Sequence, residues 1–355
     1  MVSIPSNGRR RALTLVALAL ALVTPVAACA SGARTPLPSV ARLDDGRYRL
    51  SVQPGQLLLS GQGLYFAPAK SQRIYHRDLE SLQMREIPTQ RFYPDGIVDS
   101  YRLSLAGDRL VYLEVSAASN GRSWTLAAHH LKSGETVAID QAQNDEVGWP
   151  GPEVAADGDW VVWLRKEATG GGPRSLVRAC HLPTGQTRLI GEPLDATQEA
   201  WSWPNLHAEQ LVVERDQATP TGPQADVYLI DLASGGVTPL SGSGQASEPA
   251  LGGRQVVWKG AHRYAPGPLV VYDLESRQAR TLDLEVEYPH SGDGVIVGWA
   301  RGVGLVRIDA ATGSQERLAP PQDPAPEVAV DGRRVAWAEA AAGDGAPTVT
   351  LHVRA

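Results

Sequence analysis

Short runs of β-branched residues and leucine alternate with polar turns along most of the chain, and one arrangement keeps returning. A glycine is followed five residues later by an aromatic, with aliphatic residues between them. The pairs are Gly61/Phe66, Gly107/Tyr112, Gly158/Trp163, Gly253/Trp258, Gly294/Trp299 and Gly332/Trp337. A degenerate copy, Glu209/Glu214 around Leu211-Val212-Val213, fills the widest gap. The copies start at 61, 107, 158, 209, 253, 294 and 332, so their spacings are 46, 51, 51, 44, 41 and 38 residues. Brief apolar runs bounded by Asp, Ser, Thr and Gly predict strands joined by tight turns, not helices.

The third copy reads strand by strand. Residues 153–156 form a first strand, Asp157-Gly158-Asp159 a tight turn, and 160–164 a second strand. Residues 175–180 and 186–190 follow as a third and an outer strand around His181-Leu182-Pro183-Thr184-Gly185. That last hairpin recurs as Asp231-Leu232-Ala233-Ser234-Gly235, Asp309-Ala310-Ala311-Thr312-Gly313 and Asp78-Leu79-Glu80-Ser81. Its leading Asp and its Ser or Thr bind free turn amides, and its glycine takes the left-handed position. These aspartates are therefore structural, and so are His130, His181 and His352 in the same place. A strand-rich repeat of about 40–50 residues predicts an all-β fold, a seven-bladed β-propeller of four-stranded antiparallel blades. The seventh copy lacks its fourth strand, and 47–52 is a spare strand. Pairing it with 349–353 closes the ring and removes an exposed edge. The Asp-Gly and Asp-x-x-Ser/Thr-Gly turns resemble those of TolB-like and WD-repeat-like β-propellers over roughly 45–355. That resemblance implies the fold and no particular role.

The N-terminus carries a different signal. Arg9-Arg10-Arg11 precedes an apolar stretch from Ala12 to Val23 interrupted only by Thr14. This is shorter than the roughly 20 residues of a membrane span and reads as the h-region of a signal peptide. Val26-Ala27-Ala28-Cys29 follows and resembles a bacterial lipobox. The resemblance implies cleavage before Cys29 and lipidation of its sulfur and new amine; the alternative is an ordinary secretory signal cut after Ala28 or Ala30. The expected organisation is a signal peptide over 1–28, a lipid-anchored tether over 29–42 and the propeller over 43–355. The expected location is the bacterial membrane, facing the periplasm or the cell exterior.

Removing 1–28 leaves 30 basic against 39 acidic side chains, a net charge of −9. An acidic surface repels phosphate backbones, so nucleic acid is excluded as a partner. With Cys29 lipidated, Cys180 has no disulfide partner and reads as a small buried hydrophobe. No nucleophile elbow, zinc-protease motif, Cys-x-x-Cys or Walker loop is present, and no cofactor is expected. A monomer is expected.

In four-stranded blades the second-to-third loops and the blade connections share one face. Here that face carries the long segments 115–122, 165–174, 215–224, 259–268 and 340–347, and binding concentrates on such segments. It also carries aromatics beside prolines: Phe92-Tyr93-Pro94, Trp149-Pro150, Trp201-Ser202-Trp203-Pro204 and Tyr288-Pro289. They either pad the blade junctions or form a stacking platform for a sugar or peptide. The entrances to the first strands are Gln56, Arg102, Glu153, Pro204, Glu248, Pro289 and Glu327, an acidic ring that could hold Ca²⁺ or a basic group. No local calcium loop supports a metal, and solvated or arginine-paired carboxylates are the expected state. The six repeat aromatics are expected to pack between blades. The candidate ligand surface comprises Tyr93, Trp149, Glu153, Trp201, Trp203, Glu248, Tyr288, His290 and Glu327. The expected function is a ligand- or protein-binding scaffold serving an envelope protein, peptide or glycan. The alternative is a glycan-active hydrolase or lyase using channel-mouth carboxylates.

Overall fold

The computed structural model describes residues 40–355, apart from 45–46, 51–53, 62, 69–70, 117–122, 144, 146–150, 264, 323–326, 341–348 and 355. The expected signal peptide, Cys29 and Trp149 lie outside the described residues. Among the described residues all regular structure is β.

Val40–Asp44 (β1) and Arg47–Leu50 (β2) come first. Pro54–Ser60 (β3), Gly63–Pro68 (β4), Ile74–Asp78 (β5) and Met84–Ile87 (β6) form a four-stranded meander. A second consists of Ile97–Ala106 (β7), Arg109–Val115 (β8), Trp124–His130 (β9) and Thr136–Ala142 (β10). Glu153–Asp157 (β11), Trp160–Thr169 (β12), Gly172–His181 (β13) and Gln186–Asp195 (β14) form the third. The fourth is Glu199–His207 (β15), Gln210–Thr219 (β16), Gly222–Asp231 (β17) and Val237–Pro239 (β18).

Two further meanders are fused. Ser247–Gly252 (β19), Gln255–Lys259 (β20) and Pro268–Asp273 (β21) run into the 14-residue strand Gln278–Ser291 (β22). The first half of β22 pairs with β21. Its second half pairs with Val295–Ala300 (β23), followed by Gly304–Asp309 (β24) and Gln315–Ala319 (β25). The last sheet contains Val328–Asp331 (β26), Arg334–Ala340 (β27) and Val349–Arg354 (β28), with β2 hydrogen-bonded to β28 and β1 outside it. The first strands adjoin in chain order, β3 by β7 by β11 by β15 by β19 by β22 by β26, and β26 also lies by β3.

Strand length departs from the sequence reading on the long-loop face. Segments 165–174 and 215–224 are not irregular loops. They extend β12–β13 and β16–β17 as ribbons paired out to Thr169↔Gly172 and Thr219↔Gly222. Each tip is fixed the same way, with the threonine hydroxyl donating to the glycine carbonyl at 2.6 Å.

The apolar clusters sit at the junctions between sheets. Trp163 packs with Leu113 and Trp124 of the preceding sheet, Phe66 with Ala329 and Ala336, and Trp337 with Val297 and Leu305. Strand register explains this: second-strand side chains alternate between the two neighbouring sheets. Two copies of the repeat are displaced by one residue from the sequence reading. In the fourth, His207 pairs with Gln210 across an Ala208-Glu209 turn, so Val213 rather than Glu214 holds the aromatic position. In the sixth, the turn is Asp293-Gly294, and Trp299 therefore faces the following sheet, against the cluster containing Trp337. A one-residue slip sends a side chain to the opposite face of its strand. Glu214 thereby points toward the fifth unit, where it matters for the site.

The third-to-fourth hairpins match expectation. Asp78 Oδ1 accepts from the Ser81 amide at 2.6 Å, Asp231 from Ser234 at 2.7 Å and Asp309 from Thr312 at 2.9 Å. His130 Nδ1 accepts from the Ser133 amide at 3.0 Å. His352 differs: it lies within β28, stacked on Trp337 at 4.6 Å and paired with Glu339. Cys180 is a buried free thiol, and burial pushes its pKa up.

Candidate functional site

Three consecutive first strands carry the same irregularity. Trp203, Glu248 and Tyr288 each precede a proline and each adopt a positive φ, of 53°, 57° and 52°. At each place the ladder slips, between Ser202/Asn205, Ser247/Ala250 and Glu287/His290. Proline disfavours the right-handed helical region for the residue before it, and a left-handed non-glycine residue costs about 1–3 kcal/mol unless its surroundings hold it.

The holding groups are carboxylates of the preceding unit. The Trp203 amide donates to Glu153 Oε2 at 2.7 Å, the Glu248 amide to Glu214 Oε2 at 2.8 Å, and the Tyr288 amide to Glu248 Oε2 at 2.9 Å. Where the acceptor carboxyl is ionised, such a bond is roughly twice as strong as a neutral one. The first two units use the same link with other partners: Gln56 Oε1 accepts from the Leu103 amide at 2.7 Å, and Arg102 Nε donates to the Pro152 carbonyl. The expected acidic ring is thus mainly a set of unit-to-unit clamps, in which Glu153 and Glu248 are amide-bound rather than solvated.

Behind the clamps lies a buried charged network. Lys259, 1% exposed, donates to Glu248 Oε1 at 2.9 Å and to the Arg263 carbonyl, and Glu248 is itself 2% exposed. The Arg263 guanidinium donates to Glu214 Oε1 at 2.9 Å, Ser202 Oγ at 3.1 Å and Asp216 Oδ2 at 3.3 Å. Burial, reinforced by the neighbouring Asp216 carboxyl, pushes the Glu214 pKa up to about 8 despite the guanidinium. Arg263 also lies over the Trp203 ring at 5.3 Å. The Tyr288 ring stacks with Trp203, at a centroid distance of 6.1 Å and an interplanar angle of 26°, and is 49% exposed.

The nine expected site residues therefore separate. Glu153, Trp203, Glu248 and Tyr288 come together across the third to sixth units. Trp201 is not part of an open platform: it is 4% exposed, set edge-on to Tyr228 at 5.6 Å, and donates to the Glu192 carbonyl. Tyr93 sits apart, its amide held by Glu114 at 3.0 Å and its hydroxyl 3.2 Å from Thr125. His290 is half-buried on β22, and desolvation alone lowers its pKa to about 4. Glu327 is half-buried just before β26, and desolvation alone raises its pKa to about 7. Glu214, Asp216, Lys259 and Arg263 were not among the expected residues. Lys259 was visible as a lone cation closing the apolar run Val256-Val257-Trp258, and the thrice-repeated Xaa-Pro marked the bulges.

Mixed shifts of this kind give stability a pH dependence whose sign follows from proton binding. Glu327 and Glu214 bind protons more tightly folded than unfolded, so their stabilisation is complete below pH 4.5 and is lost toward about 7 and about 8. His290 acts oppositely, its stabilisation being lost as pH falls from 6.5 toward about 4. The melting temperature is expected to fall from pH 6 to about pH 8, and Glu327→Gln to flatten the part below about pH 7. Parallel melting curves for wild type and variant across that range would remove Glu327 from this account. Among the described residues no group of three or more His, Cys, Asp and Glu is arranged to hold a metal.

No family model matches the chain, and no curated protein does. Solved structures do. An oligogalacturonate lyase in complex with manganese matches with a TM-score of 0.59 at 13% identity, over 90% of this chain and 96% of that one. The β-propeller domain of the trilobed protease from Pyrococcus furiosus, with an open velcro topology, matches at 0.57 and 13% identity, over 81% and 90%. An acylaminoacyl peptidase matches at 0.56 and 11% identity, over 89% of this chain and 52% of that one. At these identities the likeness concerns architecture alone, and with the meanders described above it makes the chain a β-propeller.

Proposed function

We propose that the chain is an exported lipoprotein, anchored through Cys29, whose seven-bladed propeller is a binding module for a glycan or peptide of the cell envelope. Seven units are counted by letting β22 end the fifth blade and begin the sixth. The ring is closed by β2 serving as the fourth strand of the last blade. The adjacency of β26 to β3 and the pairing of β2 with β28 support both readings.

The observation that carries the binding role is the Trp203–Tyr288 stack. Two left-handed pre-proline bulges turn these rings toward each other, and carboxylates of neighbouring units hold both bulges. Rigid aromatic faces beside polar groups suit the apolar faces of sugars and the side chains of peptides. An enzyme would draw on Glu214 and Asp216, the neighbouring carboxyl pair here. Glu214 is fully buried, however, with its oxygens engaged by the Glu248 amide and Arg263. That arrangement favours support over catalysis.

The test is a screen of glycans, peptidoglycan fragments and peptides against the wild type and Tyr288→Ala. Loss of a detected ligand by about tenfold or more is the expected outcome. A ligand bound equally by both proteins would move the site elsewhere, and turnover of a glycan would replace the binding role with a catalytic one. For the anchor, a fatty-acid analogue should label the wild type in bacteria and not Cys29→Ala; equal labelling would disprove it.

A further inference from the structure

On the opposite, short-hairpin face a cavity of about 130 Å³ opens between the second and third units. Its origin is local. Cys180 pairs with Val161 where, in their own sheets, Ile230 pairs with Leu211 and Ile308 with Ile296. The thiol is smaller than the Ile230 and Ile308 side chains that hold this register in those two sheets, and Ala128 lines the same space. Removing side-chain volume from a packed junction leaves a void when neighbours cannot collapse into it. Here they cannot, because hydrogen-bonded ladders hold both walls.

The lining combines the apolar side chains of Val137, Ile139 and Leu182 with the polar groups of Arg109, His130 and Thr187. Val137 remains 55% exposed at the mouth, a large hydrophobic side chain left without cover. The Arg109 side chain is half-buried and joins no ion pair among the described residues. Its neighbour Asp108 is taken by His130 at 3.2 Å and Lys132 at 3.7 Å. Glu135 also lines the opening, but it is exposed to solvent, which screens its charge more than that of the half-buried guanidinium.

We infer that this cavity is a binding site for a small apolar monocarboxylate, its hydrocarbon body against Val137, Ile139 and Leu182 and its carboxylate on Arg109. An apolar cavity of about 150 Å³ accommodates benzene, so this one suits a ring or a short chain of about six carbons. An arginine fork matches a carboxylate with two parallel hydrogen bonds. The site is separate from the Trp203–Tyr288 surface, and its occupancy does not depend on the function proposed for that surface.

Hexanoate, hexylamine and acetate titrated into the full chain by calorimetry test the inference. Hexanoate is expected to bind at least about tenfold more tightly than either of the others, and Arg109→Met to lose about tenfold while melting like the wild type. Hexanoate is also expected to slow alkylation of Cys180, followed on the peptide that contains it, because the thiol lines the cavity. Equal binding of hexylamine, or no hexanoate binding below about 10 mM, overturns the inference. So does alkylation at an unchanged rate under saturating hexanoate. Should Arg109→Met fail to fold, the ligand comparison on the wild type still decides.

Discussion

Lys259→Met is expected to lower the unfolding free energy by about 3–5 kcal/mol, among the largest losses available to a single substitution in this chain. Methionine keeps the length of the stem, so packing changes little. What is lost is the cation that compensates Glu248, and both groups are almost wholly buried, at 1% and 2% exposure. A carboxylate stranded in such a place either stays charged at high cost or takes up a proton. Glu248 is also the clamp for the Tyr288 amide and sits in a left-handed conformation held by Glu214. Disturbing it therefore reaches the aromatic pair as well as the junction. The double variant Glu248→Gln/Lys259→Met removes both charges, and Gln retains an acceptor for the Tyr288 amide. It should recover more than half of the loss, because a buried pair is dispensable in a way that half a pair is not. Urea titrations of the three proteins measure both quantities, and a single-variant loss under about 1 kcal/mol would mean that water reaches Glu248.

The repeat was legible because its determinants are local. Gly158 takes φ of 55° in a turn, Trp163 follows at a fixed distance, and strand alternation alone aims that ring at the neighbouring sheet. The same locality explains the misalignment of the fourth copy. Ala208 and Glu209 both adopt positive φ without a glycine, at 48° and 64°, so the fourth turn carried no glycine to anchor the count. The site was legible only in part. Its aromatics announced themselves beside prolines, but the clamps join residues 50, 34 and 40 positions apart. No local pattern couples Glu153 to the Trp203 amide, because the strand entrances meet only after the sheets assemble. Trp201 and Trp203 differ by two residues in sequence, yet one is core and the other lies at the mouth. The register slip between Ser202 and Asn205 separates them, and only the folded ladder reveals it.

A chain that begins at residue 51 is expected to melt far below the full-length protein and to aggregate on heating. It loses β1 and β2, and with β2 the pairs Arg47↔His352, Tyr48↔Leu351, Arg49↔Thr350 and Leu50↔Val349. β28 then becomes a bare edge, the feature that recruits strands from other molecules. The junction loses its anchor too. Tyr48 is 5% exposed, packs with Leu57, Leu79 and Leu351, and directs its hydroxyl to the Leu79 carbonyl at 3.4 Å. Removing a buried aromatic of this size costs about 3–5 kcal/mol by cavity formation alone, and the lost ladder adds to it. Tyr48→Ala, which keeps the backbone ladder, should therefore fall between the truncated and intact chains. A synthetic peptide spanning residues 40–50 should restore part of the melting temperature in proportion to its concentration, since binding to the folded form alone stabilises by mass action. If the truncated chain melts with the wild type and stays monomeric at light-scattering concentrations, β2 is an appendage rather than the strand that closes the ring.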